Sequence, residues 1–290
     1  MFNVGIVGLG AMGAPMARRL LKGGHAVTIY ARRPEAMAPL VDAGARGASS
    51  PAEVASLSDI TITMVIDTAA VETVTLGPRG ILEGARAGSA VVDHSTIDPD
   101  GARRIASALK ARGIDMLDAP VSGGAAMAEA GTLSIMVGGD EAVLDRCRPM
   151  LECYGTTIAH IGPSGAGQVA KACNQICTIV NMLGAAEAML MAERAGVDPT
   201  KVKNVLMTGF AASRMLDLQA PKMIARDFRG KVESRLHDKD IQIVLAMARA
   251  LGIDLPASAA AARVLHALQN RGGSKQDSAA IFEVLANPHP

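Results

Sequence analysis

Residues 165–175 read GAGQVAKACNQ, and Lys171 is the only charged side chain in that run. An ammonium set among alanine, cysteine, isoleucine and valine is costly unless it reaches water, a partner or a chemical task. If the segment is helical, Lys171, Asn174, Thr178 and Asn181 recur at three- and four-residue intervals and share one face. Val169, Cys173, Ile176, Cys177, Ile179, Val180 and Leu183 fall on the other faces. That pattern predicts a helix buried nearly all round, with Cys173 and Cys177 as ordinary buried thiols and one polar stripe. A lysine beside an amide can protonate an oxygen on which charge is developing, because the ammonium both stabilises the charge and supplies the proton. The same stripe would also suit an interdomain helix that meets water or a neighbour's backbone.

A second constellation is Gly8-Leu-Gly10-Ala-Met-Gly13, a GxGxxG run placed between an apolar run and a helical pattern. In that position Gly8 permits a tight turn, Gly10 lets backbone approach a pyrophosphate, and Gly13 allows close helix packing. The following helix N-terminus offers N–H groups and partial positive charge. Where NAD sites carry an acid after the second strand, this chain has Ala31-Arg32-Arg33-Pro34, and two guanidinium groups suit a 2′-phosphate. The expectation is NADP (NADPH) over NAD, with the alternative that both arginines are solvated loop residues.

A third is Asp118-Ala-Pro-Val-Ser122-Gly123-Gly124, read as a strand running into a turn that can offer a hydroxyl and backbone N–H groups to a carboxylate. Asp93-His-Ser95-Thr96 ends another strand, and both loops would lie at the carboxyl edge of a sheet, where open α/β sheets bind ligands. A dinucleotide site, an anion-binding turn and a lysine beside an amide together describe a reductase of a small carbonyl acid.

The elements that must position these groups are visible as alternating apolar runs and helical patterns up to about residue 162. The runs are 2–8, 26–31, 59–66, 89–95, 114–120, 133–139 and 156–162. They predict an α/β fold with a mostly parallel, doubly wound Rossmann-type sheet. Beyond Gly162 strand signals stop and an all-α domain is expected, with helices near 166–195, 199–208, 213–225, 237–251, 256–270 and 277–286. The expected domains are 1–163 and 164–290, the second opening on a long interdomain helix of about 45 Å.

Composition narrows the classes. The 290 residues carry 49% hydrophobic content and a formal charge of +1 from 29 basic and 28 acidic side chains. A field for nucleic acid or an anionic membrane is therefore not expected, and 2% aromatic residues leave little to stack on bases. MFNVGIVGLGAMG lacks the basic flank and apolar core of a signal peptide. No run of about 18 unbroken apolar residues occurs. The four cysteines lack zinc-site spacing, so no metal is expected, and a cytoplasmic, reducing compartment fits them.

With those residues in view, the chain resembles the β-hydroxyacid dehydrogenase family through four motifs in order. GLGAMGAPMA (8–17) is similar to the family's cofactor signature, DAPVSGG (118–124) to its substrate signature, GAGQVAKACNQ (165–175) to its catalytic helix, and LHDKD (236–240) to a cofactor-proximal lysine segment. The resemblance implies that Lys171 is catalytic and that Ser122, Gly123, Gly124 and Asn174 lie at the substrate. It implies that Thr96 and Lys239 lie beside the nicotinamide half, Thr96 also near substrate, and that Ala11, Met12, Val65 and Ile66 line the cofactor crevice. Asp240 and Val232 join the substrate set; many members carry phenylalanine where this chain has Val232, so the pocket is reshaped. GTLSIMVGGD (131–140) and GIDMLDAPVSGG most resemble tartronate semialdehyde reductases. The implied activity is NADPH-dependent reduction of an acid such as tartronate semialdehyde, succinic semialdehyde or glyoxylate. The alternatives are 3-hydroxyisobutyrate dehydrogenase and a non-catalytic NADP-binding module; an imine reductase generally has another residue in place of Lys171. A homodimer or homotetramer through the helical domain is also implied.

Overall fold

The computed structural model describes residues 1–230 and 232–288. It divides into two compact units, Met1–Lys171 and Ala172–Pro290.

The first unit is built on a sheet of nine strands: β1 (Asn3–Val7), β2 (Ala26–Tyr30), β3 (Arg46–Gly47), β4 (Ile60–Thr63), β5 (Ala90–Asp93), β6 (Asp115–Asp118), β7 (Val121–Ser122), β8 (Leu133–Gly138) and β9 (Gly155–Gly162). Their order is β3-β2-β1-β4-β5-β6-β8-β7, with β9 also paired to β8. The first six run parallel, and β8 is antiparallel to β6. Register aligns Ile29, Ile6, Ile62, Val92 and Leu117 across five strands, and all five are fully buried. Residues one step along each strand face the opposite side, where Val7 and Val91 join a separate core with Val54, Ile105 and Leu109. Two buried faces require two helical layers, which is why strands buried on both sides give the doubly wound form expected from the sequence.

Helices α1 (Gly13–Lys22), α2 (Ala38–Val41), α3 (Pro51–Ser56), α4 (Thr68–Leu76), α5 (Ile81–Gly84), α6 (Pro99–Lys110), α7 (Gly124–Ala130) and α8 (Glu141–Leu151) connect these strands. Several start at side-chain caps, including Asp67 on Ala70 N–H at 2.8 Å and Asp98 on Gly101 N–H at 2.6 Å.

Two expectations at the strand ends change. The run 59–66 leaves the ladder after Thr63, because Val65 N–H donates to Ser95 Oγ at 3.0 Å rather than to a neighbouring strand. The strand expected to run into the Ser-Gly-Gly turn also stops early, at Asp118. Pro120 has no N–H to extend a ladder, and Val121–Ser122 forms a separate two-residue strand antiparallel to β8, opposite Ile135 and Ser134.

The second unit is helical. α9 (Ala166–Arg194) begins in the first unit and continues into the second, followed by α10 (Pro199–Leu206), α11 (Arg214–Ala225), α12 (Ser234–Leu251), α13 (Pro256–Asn270) and α14 (Ile281–Ala286). Ile179, Met182, Ala186 and Met189 of α9 share a core with Met223, Ile241, Leu265 and Phe282. By length and composition α9 could cross a membrane, although no unbroken apolar run of that length occurs. Its buried positions are the ones that fill this core. The sequence puts the domain division at 163/164, whereas the structure divides within α9, after Lys171, because the first turns of that helix are hydrogen-bonded to the sheet.

Candidate active site

The loop between β1 and α1 is shaped by close approach. Gly8 has φ +103° and donates its N–H to Tyr30 O at 3.0 Å; a Cβ there would collide with the carbonyl of Met64. A Cβ on Gly13 would collide in turn with the carbonyl of Gly8. A Cβ on Gly10 would meet nothing within 4 Å, so the loop has open space above it where backbone can face a ligand. No side chain caps α1 and no acidic residue sits in its first turn. That combination fits a pyrophosphate, which takes the place of a capping carboxylate. Ala11 is exposed and Met12 half-buried beside it. Arg32 and Arg33 follow β2 directly, both exposed, and neither forms an ion pair among the described residues.

At the same sheet edge, register sets Thr63 beside Asp93 and Asp93 beside Asp118. Asp93 is fully buried and accepts from Thr63 Oγ1 at 2.8 Å and Ser95 N–H at 3.1 Å. Burial pushes its carboxyl up to about 6, opposed by the Ser95 and Thr63 hydrogen bonds and reinforced by the neighbouring Asp118. Because Ser95 Oγ also accepts from Val65 N–H, this network ties together the two loops that carry Val65 and Ile66 on one side and Ser95 and Thr96 on the other. His94 is buried between Ala119 O, at 2.5 Å from Nδ1, and Tyr154 Oη, at 2.8 Å from Nε2. Burial lowers its pKa to about 4, so it is neutral at pH 7.

Asp118 anchors the start of α9. Its Oδ1 accepts from Gly165 N–H at 2.7 Å and its Oδ2 from Gln168 N–H at 3.0 Å. Burial raises its carboxyl above the usual range, and these backbone N–H groups oppose the rise. Gly167 lets the helix settle onto the sheet, since a Cβ there would press on the carbonyls of Asp118 and Met136. One turn further on, Lys171 is only 8% exposed and its Nζ donates to Val121 O at 2.9 Å. The ammonium thus lies against the segment that carries Ser122, which is half-buried and followed by Gly123 at φ +134° and Gly124 at φ +67°.

The burial pattern of α9 departs from the expectation. Val169, Cys173, Cys177, Asn181, Glu187 and Met191 form an exposed stripe, so the helix is not buried all round and the two cysteines are exposed thiols. The buried face carries Gln168, Lys171, Ala172, Gln175, Ile179 and Met182. Small residues such as alanine and cysteine mark neither face strongly, so apolarity alone does not identify the buried face. Asn174 is half-buried, three residues beyond Lys171.

The other expected residues lie in the second unit. Val232 is half-buried just before α12. That helix starts at Ser234, three residues earlier than expected. Lys239 Nζ pairs with Asp240 Oδ1 at 3.0 Å, and Asp240 Oδ2 accepts from Gln175 Nε2 at 2.5 Å, so Asp240 is held within its own unit. The sequence alone assigns no role to the Asp118 carboxylate or to Gln168. Gln168 stands three residues before Lys171 in GAGQVAK, and that spacing, which puts two polar groups on one helix face, was the available signal.

A Rossmann-type unit with this phosphate cradle, joined through a lysine-bearing helix to a helical unit, defines a nicotinamide-dinucleotide oxidoreductase. A family model for the NAD binding domain of 6-phosphogluconate dehydrogenase matches residues 3–162. A second, for the NAD-binding domain of NADP-dependent 3-hydroxyisobutyrate dehydrogenase, matches residues 165–285. The chain belongs to the β-hydroxyacid dehydrogenase family. It is 40% identical to 2-hydroxy-3-oxopropionate reductase of Escherichia coli (strain K12), across 98% of this chain and 97% of that protein. It superposes on the crystal structure of 3-hydroxyisobutyrate dehydrogenase from Salmonella typhimurium with a TM-score of 0.91 at 34% identity, covering 98% of this chain and 100% of that one. A structure described as Psf3 in complex with NADP+ and 2-OPP matches with a TM-score of 0.89 at 28% identity, covering 97% and 99%.

Proposed function

We propose that this protein is an NADPH-dependent reductase, reversible as a dehydrogenase, of a small aldehyde or keto carboxylic acid. Tartronate semialdehyde is the first candidate, with succinic semialdehyde and glyoxylate next. The observation that carries the reading is Lys171, a nearly buried ammonium held at 2.9 Å by the carbonyl of the residue before Ser122. A nicotinamide cofactor, when bound, supplies the hydride for the substrate carbonyl carbon. Lys171 Nζ gives a proton to the carbonyl oxygen as charge builds there, and in the oxidative direction it receives the proton back. Ser122 Oγ and the N–H groups of Gly123 and Gly124 receive the substrate carboxylate. Within the first unit, Thr96 joins the substrate set that the family resemblance assigns. Gly8, Gly10, Ala11, Met12, Gly13, Val65, Ile66 and Thr96 make up the first unit's part of the cofactor set.

Arg32 and Arg33 support NADP over NAD, because two exposed guanidinium groups after β2 can take a 2′-phosphate where an acid would repel it. Tartronate semialdehyde, which is 2-hydroxy-3-oxopropionate, leads because the 40% identical relative is named for reducing that compound. The 3-hydroxyisobutyrate dehydrogenase reading is second and is favoured by the crystal structure bearing that name. A non-catalytic NADP-binding module is the weakest reading, since it needs no buried lysine at this position. Association into a homodimer or homotetramer through the helical unit is supported by Met191, Val205, Phe210 and Leu218, all apolar and exposed on it. Four free thiols support a cytoplasmic setting. Steady-state reduction of tartronate semialdehyde, succinic semialdehyde and glyoxylate with NADPH and NADH, and oxidation of 3-hydroxyisobutyrate with NADP+ and NAD+, test the reading. The highest kcat/KM is expected for tartronate semialdehyde with NADPH; equal or better use of NADH refutes the cofactor assignment, and no turnover of any of them refutes the substrate class.

A further inference from the structure

Gln168 is 1% exposed and uses its whole side chain on one loop. Its Nε2 donates to Ser95 O at 2.8 Å, and its Oε1 accepts from Ile97 N–H at 3.1 Å. Those two groups belong to the peptide units on either side of Thr96, so the amide grips residue 96 as a neighbouring strand would grip one residue of a ladder. The backbone N–H of Gln168 is held in turn by Asp118 Oδ2. Three residues later, on the same helix face, Lys171 donates to Val121 O. One buried side chain thus joins the loop of Thr96 to the helical turn that carries the ammonium, and all of its partners belong to the first unit.

We propose that Gln168 is a positioning residue for the reaction: it fixes Thr96, and with it the nicotinamide side of the site, against Lys171. The proposal rests on the reading of Lys171 as proton donor and Thr96 as cofactor neighbour. Its chemical logic is that a carbonyl carbon must receive hydride while its oxygen receives a proton, so the groups serving the two atoms need a fixed spacing. A misplacement of about 1 Å is enough to cost on the order of a hundredfold in rate. A side-chain amide suits this clamp because it donates and accepts in one plane; a carboxylate only accepts, and a thioether of similar length does neither.

The test uses the full-length enzyme and two variants, Gln168→Met and Gln168→Glu. Amide exchange at Ile97 in the cofactor-free protein, the Kd for NADPH, kcat, KM and the isotope effect on kcat with 4-deuterated NADPH are measured for each. In the Met variant, exchange at Ile97 is expected to accelerate and kcat to fall about tenfold to a hundredfold. The isotope effect should rise as hydride transfer becomes limiting, while KM for the acid moves less than kcat. The Glu variant keeps the acceptor for Ile97 N–H but sets a second acceptor against Ser95 O, so it too should accelerate exchange and lower kcat. The proposal is overturned if exchange accelerates while kcat and the isotope effect stay at parental values. It is also overturned if activity falls only in proportion to the folded fraction, or if neither variant folds, since Gln168 is then structural. Failure of the underlying reading is separate, because it appears as retained turnover in Lys171→Ala, whatever Gln168 does to exchange and cofactor affinity.

Discussion

Replacing Asp118 with alanine removes the acceptor for two backbone N–H groups at the buried start of α9, those of Gly165 at 2.7 Å and Gln168 at 3.0 Å. Each orphaned buried donor costs about 1–3 kcal/mol. Part of that is offset, because the carboxyl's pKa is raised by burial, so its removal also relieves a desolvation cost. The net expectation is a loss of about 2–4 kcal/mol in the first unit. Asp118→Asn keeps one acceptor and opposes its amide N–H₂ to the second donor, so about half that loss is expected. A two-unit chain need not unfold in one step, so the assay is native-state amide exchange at residues 165 and 168, read beside the first urea transition. Kinetics should follow, since the same turns carry Gln168 and Lys171: kcat should fall in the order parent, Asn, Ala. A value for Asp118→Ala within about 0.5 kcal/mol of the parent, below the range for a lost buried acceptor, would refute the capping argument. Asn proving as damaging as Ala would refute the assignment of one N–H to each oxygen.

Two buried groups of the first unit, His94 and Asp93, act in opposite directions on acid stability. His94 has a folded pKa lowered to about 4, so its contribution is complete above the unfolded value of 6.5 and is lost as pH falls toward 4. Asp93, raised to about 6 from 3.8, acts in the opposite direction and adds stability as pH falls through 6. Each is on the order of 2–3 kcal/mol and they nearly cancel between pH 6 and 4. Asp93→Asn removes that residue's share of the opposition to His94, so on going from pH 7 to pH 4 the variant should lose on the order of 2–3 kcal/mol more than the parent in urea unfolding; parallel curves would contradict this. For the cofactor, the double variant Arg32→Ala, Arg33→Ala should raise KM for NADPH at least about tenfold, as expected for losing charge-assisted hydrogen bonds, and change KM for NADH little. Equal effects on both cofactors would place the guanidinium groups away from the 2′-phosphate.

What the sequence made legible follows its local chemistry. The β1 turn and α1 could be read because glycine spacing encodes steric demands that no other residue meets, and the structure shows those collisions at Gly8 and Gly13. The ends of α9 could be read because Gly165 and Gly196, both with positive φ, punctuate it. The buried face of the same helix could not, because alanine and cysteine fit either side and only tertiary packing chooses between them. Strand ends differ from the sequence expectation for a similar reason. DITITMVI is apolar to its end, but a side-chain acceptor on a distant loop, Ser95 Oγ, takes the Val65 N–H out of the ladder. The clamp by Gln168 spans 71 residues to Ile97, a pairing that periodicity within one helix cannot reveal.

The central claim is that Lys171 supplies the proton. Turnover of a small carbonyl acid by Lys171→Ala, measured beside its Kd for NADPH, tests it most directly. Loss of a general acid should lower kcat at least about a hundredfold while NADPH affinity stays close to the parent's. A folded Lys171→Ala enzyme that keeps most of its turnover would contradict the account.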